Sequence, residues 1–162
     1  MPISHSARRT LTRGFTLVEL VLVIVIAGIL AAVAAPRFFQ STVYTQRAYA
    51  DELAAALRIA QKVAVATDCP VQLTLGASGY AVAQQAAAGN TCNPQDTSWS
   101  TPVIGADTAA VHATAPTGVL ASPTGSFVFS GSGVLTASPA TTLSIGSHTI
   151  TIDPATGLVT VL

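Results

Sequence analysis

The chain has 162 residues and a formal charge of zero, with seven Lys and Arg against seven Asp and Glu. Half of it is hydrophobic and only 9% is charged, where an ordinary soluble domain carries about 25%. This length suits one domain plus a protruding helix, and the sparse charge leaves no basic surface on the scale that nucleic-acid binders use.

Residues 1–14 carry Arg8, Arg9 and Arg13 and no acid. Cationic flanks resist translocation, so this segment is expected to stay on the cytoplasmic side, with everything beyond the following apolar run outside. That run, Phe15 to Ala35, has twenty-one residues and a single charge, Glu19. An α-helix of about 20 apolar residues crosses a bilayer, so residues 15–36 are expected to form a transmembrane and assembly helix.

Glu19 is out of place in such a helix. A charge at mid-span costs roughly 2.5–3.5 kcal/mol on insertion scales, less near the interface, and an acid retained there usually has a partner. A new α-amino group, made by cutting between Gly14 and Phe15, is the nearest candidate. The amine of a neighbouring copy would serve equally, which would make Glu19 an assembly residue. The plain alternative is an interfacial carboxylate that snorkels to the headgroups.

The order Arg13-Gly14-Phe15-Thr16-Leu17-Val18-Glu19 resembles the class III signal of type IV pilins and type II secretion pseudopilins. The resemblance implies that a prepilin peptidase cuts after Gly14 and methylates the new N-terminal Phe15. It also implies that Glu19 guides docking of other subunits, and that Gly28 and Pro36 loosen the helix within the fibre. The competing reading is an ordinary secretory signal, for which Ala32-Val33-Ala34 offers an A-x-A site. Against it, the apolar run exceeds a typical h-region of about 7–15 residues and contains Glu19.

Beyond Pro36 polar residues enter, yet Tyr49, Leu53, Leu57, Ala60 and Ala64 keep three- and four-residue spacing. Residues 37–67 are therefore expected to be an amphipathic helix, continuous with the first and kinked at Pro36. Asp51, Glu52, Arg58, Gln61 and Lys62 fall on its solvated side. Removing residues 1–14 leaves four cations, Arg37, Arg47, Arg58 and Lys62, against seven acids, a charge of −3.

Residues 68–162 read as a β-rich head. Val71, Leu73 and Leu75 alternate, turn through Gly76-Ala77-Ser78-Gly79, and return through Tyr80, Val82 and Gln84 as a hairpin. Residues 86–98 read as a loop. Further strands are expected at Trp99–Ile104, Ala109–Ala113, Gly118–Ala121, Phe127–Phe129, Leu143–Ile145, His148–Ile152 and Leu158–Val161. Asp153-Pro154-Ala155-Thr156-Gly157 is a turn between the last two. Cys69 and Cys92, a lone pair in an exported domain, are expected to form a disulfide; the alternative is two separate buried thiols.

The helix end Ala60–Ala66 and the segments Phe127–Gly133 and Ile150–Val159 resemble the H-type minor pseudopilins, the FimT-like proteins and the mannose-sensitive haemagglutinin minor pilins. That resemblance implies an α+β fold, a long N-terminal helix packed on a head of two small antiparallel β-sheets. The early cysteines and the final strand favour a minor subunit. The implied location is the bacterial inner membrane, crossed once with the head periplasmic, and then a pilus or pseudopilus. Filament-borne binding, of DNA or a surface ligand, is the alternative function.

No catalytic, metal or cofactor site is expected. His5 lies in the leader, and His112 and His148 have no acid or second ligand at motif spacing. Two cysteines fall short of the four ligands of a structural zinc site, and no G-x-S-x-G occurs. With no Lys or Arg after Lys62, no nucleic-acid partner is expected.

Overall fold

The computed structural model describes residues 15–38, 41–88, 91–93 and 96–162, the side chains of 32–38, 41, 87, 88 and 91 excepted. The chain divides into two compact units, residues 1–40 and 41–162. The first contains helix α1, Leu17–Phe38, which continues through Pro36 past the expected boundary. The second begins with helix α2, Ser41–Thr67.

Among the described residues twelve strands follow α2: β1 Val71–Gly76, β2 Gly79–Gln84, β3 Ala87–Ala88, β4 Thr91–Cys92, β5 Thr101–Pro102 and β6 His112–Thr114. The rest are β7 Ala121–Ser122, β8 Gly125–Phe129, β9 Leu135–Ala137, β10 Thr142–Ile145, β11 His148–Ile152 and β12 Val159–Val161. They build two principal antiparallel sheets, ordered β5-β2-β1-β8-β9 with β6 also on β2, and β12-β11-β10-β7. This is the expected α+β architecture of a helix on two sheets.

The helical stripe packs as its spacing requires. Tyr49, Leu53, Leu57, Ala60 and Ala64 are all buried, and Ala50, Ala54 and Ala56 let the sheets approach the helix closely. Opposite them the strands present alternate residues, as the two-residue period demands. Val71, Leu73, Leu75, Val82, Phe127 and Phe129 come from the first sheet, and Leu143, Ile145, Ile150, Ile152 and Val159 from the second. Tyr49 stands 6.3 Å from Tyr80, ring centre to ring centre. Burial, aided by the Glu52 carboxylate, holds both phenols above their ordinary pKa, so both stay neutral.

The solvated side of α2 does more than face water. Nε and Nη2 of Arg58 donate to the carbonyl of Val159 at 3.2 and 3.0 Å. Gln61 Nε2 donates to the carbonyls of Gly133 and Thr156 at 3.3 and 2.8 Å. These bonds tie the helix to the β8–β9 turn and to the last strand. Gly157 (φ +69°) makes room for them, since a Cβ there would stand 2.1 Å from the Gly133 carbonyl oxygen.

Several strand expectations need correction. The 86–98 loop contains the β3–β4 ladder, Ala87 opposite Cys92, next to the disulfide. Trp99–Ile104 shrinks to Thr101–Pro102, because Trp99 adopts a positive φ of 48° and Pro102 has no N–H to donate. Ala109–Ala113 moves to His112–Thr114, and Gly118–Ala121 shrinks to Ala121–Ser122 because Gly118 turns at φ +77°. The hairpin that Phe127–Gly133 resembles is completed by β9, a return strand without an expected range, which pairs with β8 through a bulge that defeats simple alternation.

Candidate assembly site

The start of α1 is the candidate site. Thr16 is its N-cap: the Thr16 hydroxyl accepts the Glu19 N–H at 3.3 Å, and the Thr16 carbonyl accepts the Leu20 N–H at 3.2 Å. Thr16-Leu17-Val18-Glu19 therefore has the spacing of a capping box. Glu19 falls in the first turn, where the unpaired N–H groups favour negative charge. Thr16 is the residue that sequence reasoning missed, although S/T-x-x-E before an apolar run was legible.

Leu17, Val18, Leu20, Val21, Leu22, Val23, Ile24, Val25, Ile26, Ile29 and Leu30 are all exposed. Phe15 is 76% exposed, and a Cβ added at Gly28 would meet nothing within 4 Å. Such an all-round apolar rod is covered by lipid or by other chains. The described side chains of α1 run from Leu17 to Ala31, fifteen residues, or about 22 Å against a hydrocarbon core of about 30 Å. Among the described residues, accordingly, no helix is long and apolar enough to cross a membrane. Gly14 and the rest of residues 1–14 lie outside the described residues, as does the side chain of Pro36.

In the head, Cys69 and Cys92 form the expected disulfide, with Cα atoms 5.5 Å apart, well within the usual span. It anchors the end of α2, where Asp68 takes the left-handed conformation (φ +53°) and the Cys69 N–H returns to the Ala64 carbonyl at 3.2 Å. That is a Schellman ending with aspartate where glycine is usual. Across the bridge, Asp96 accepts the Ala86 and Ser98 N–H groups at 2.6 and 2.8 Å, and its carbonyl accepts Gln85 Nε2 at 3.1 Å. The Ser98 hydroxyl first, then those two N–H groups, hold the Asp96 carboxyl below the ordinary carboxylate range.

Among the described residues the two histidines stand apart from these features. His112 Nδ1 lies 2.9 Å from the Ala110 carbonyl, and His148 Nε2 is buried without a hydrogen-bond partner among the described residues. The structure does not bring either histidine to an acid or a second ligand, and the described residues contain no cluster suited to a metal.

A capped apolar helix at the N-terminus, followed by a second helix on two small sheets with a disulfide at its end, defines a type IV pilin-like subunit. Two family models match: prokaryotic N-terminal methylation motif over residues 9–35, and type II transport protein GspH over residues 49–160. The chain belongs to the GspH family. It is also 52% identical over 52 residues to the type IV narrow pilus major component PilA5 of Thermus thermophilus. That match covers 32% of this chain and 45% of PilA5, so the chain spans about half the length of the curated relative it matches. No solved structure matches significantly.

Proposed function

We propose that the protein is a minor subunit of a type IV filament, either a secretion pseudopilus or a pilus. Prepilin peptidase cuts between Gly14 and Phe15, Phe15 is N-methylated, and the chain waits in the inner membrane with its head periplasmic until it is assembled. The exposed apolar surface of α1, which lies inside the residues matched by the methylation motif, carries this reading. A rod of that chemistry needs lipid before assembly and neighbouring helices after it. Glu19 then pairs with the terminal amine of an adjacent copy, while Gly28 and Pro36 let the helix yield.

Intact mass of the native protein tests the processing step. A chain starting at methylated Phe15 is expected; an uncut chain or a start at Ala35 would refute it. Sheared filaments test the assembly step, since a subunit is recovered with them and an ordinary exported protein is not.

The likeness to PilA5, described as a major component, favours a second reading in which this chain builds the shaft. Its abundance relative to other pilins in purified filaments separates the two.

A further inference from the structure

We propose that the outer face of the first sheet carries a binding site for a neutral saccharide, in a trough between β1 and β6. The register places Thr74, Ala81 and His112 in one cross-strand row, and Gly76, Gly79 and Thr114 in the next. Thr74, Ala81, His112 and Thr114 are exposed on strands whose alternate residues are buried on β1 and β2 and partly buried at Ala113 on β6. Adjacent strands run about 4.8 Å apart, so the rows from β1 to β6 span about 10 Å with only Ala81 or Gly79 between the walls.

Small residues at the centre make the concavity. It is a shallow depression of about 480 Å³, open to solvent, so a ligand would rest on it with one face in water. Gly79 cannot be enlarged, since φ is +138° and a Cβ would stand 2.0 Å from the Ala113 carbonyl oxygen. The floor is therefore fixed by backbone packing and does not depend on a ligand.

The walls determine the ligand class. Ser78 and Thr114 supply hydroxyls able to donate and accept, and Thr74, whose hydroxyl donates to Gln72 Oε1 at 3.3 Å, offers its lone pairs as acceptors. His112 lends Nδ1–H to the Ala110 carbonyl at 2.9 Å, which leaves Nε2 as an acceptor. No Asp, Glu, Lys or Arg lines the trough. Convergent neutral donors and acceptors over an uncharged floor match the hydroxyls of a sugar ring. A phosphate, sulfate or carboxylate would be desolvated there without a cation to meet it. A nucleic acid is disfavoured for the same reason. The site requires nothing of filament assembly, so it stands or falls independently of the function proposed above.

The test uses the full chain in detergent micelles, titrated with cellobiose, lactose and maltose and, for comparison, sialyllactose, while the His112 ring is followed by NMR. At least one neutral disaccharide is expected to shift the His112 Cε1 resonance with a millimolar Kd, and sialyllactose to bind more weakly. Ala81→Leu fills the trough from an exposed position and should weaken binding roughly tenfold or more, as should the near-isosteric Thr74→Val, the size of effect that losing one or two hydrogen bonds gives. Thr160→Ala, on the other sheet, should bind as the native chain does, and a native near-UV spectrum of each variant excludes misfolding. The proposal is overturned by the absence of any neutral disaccharide effect, by equal or tighter binding of sialyllactose, or by unchanged binding in both trough variants.

Discussion

The guanidinium of Arg58 closes on the carbonyl of Val159, 101 residues away, through two nitrogens at once. Val159 belongs to the edge strand of its sheet, and its carbonyl has α2 in place of another strand. Arg58→Leu should leave that acceptor unpaired and destabilise the head by about 1–3 kcal/mol. Arg58→Lys, with a point charge in place of a fork, should recover part of the loss. Urea denaturation of the two variants measures both effects; equal stability of Arg58→Leu and the native chain would sink the assignment.

Reducing the Cys69–Cys92 bridge should cost roughly 3 kcal/mol by loop-closure entropy, for a sequence separation of 23. A Cys69→Ser/Cys92→Ser double variant should match the reduced native chain in its denaturation midpoint. A midpoint unchanged by reductant would show that the bridge contributes no stability.

At α1 the cap and the charge can be separated. Thr16→Val should weaken the first turn by about 0.5–2 kcal/mol while leaving the carboxylate in place. Glu19→Gln keeps the size and polarity but removes the charge, and Glu19→Ala removes both. If a neighbour's amine needs the carboxylate, both Glu19 variants accumulate in the membrane with a folded head and enter sheared filaments poorly, whereas Thr16→Val assembles nearly normally. Full incorporation of Glu19→Gln would remove charge from the explanation.

Asp96 gives the 85–98 segment a pH dependence. Its carboxyl is held below the ordinary range, so the folded state favours the charged form. That contribution is complete above the unfolded value of about 3.9 and is lost as pH falls through the lower folded value. Protection of the Ala86 and Ser98 amides, measured against the intrinsic exchange rate at each pH, should therefore fall only in acid. Asp96→Asn should already show fast exchange at neutral pH, with no further acid step from this site.

Nucleic acid should not be retained. Beyond residues 1–14 the chain has four cations, Arg37, Arg47, Arg58 and Lys62; of these, Arg47 lies 3.8 Å from Asp51. Even if all four met phosphates the salt slope would be only about −4, short of the six to ten contacts of committed binders. An anisotropy titration of the full chain in neutral micelles with duplex DNA at low salt is the check. Micromolar binding that weakens steeply with salt would restore the DNA-uptake alternative.

Sequence by itself determined the parts of this protein governed by local chemistry. The apolar run behind Gly14-Phe15, broken by the lone Glu19, marks helix α1. The spacing of Tyr49, Leu53, Leu57, Ala60 and Ala64 foretells the buried side of α2, because helical period and burial are the same fact read twice. Turns such as Asp153–Gly157 were equally legible, since the Asp153 carboxylate bonds N–H groups two and three residues on. What only the tertiary structure decided depends on partners distant in sequence. β9 is a strand because β8 pairs with it, and Arg58 is an anchor because the last strand ends its sheet against α2. The proposed trough follows from the register, which sets Ala81 between Thr74 and His112 and Gly79 between Gly76 and Thr114. Strand pairing and carbonyl satisfaction join groups up to a hundred residues apart, and no local period or composition encodes which groups will meet.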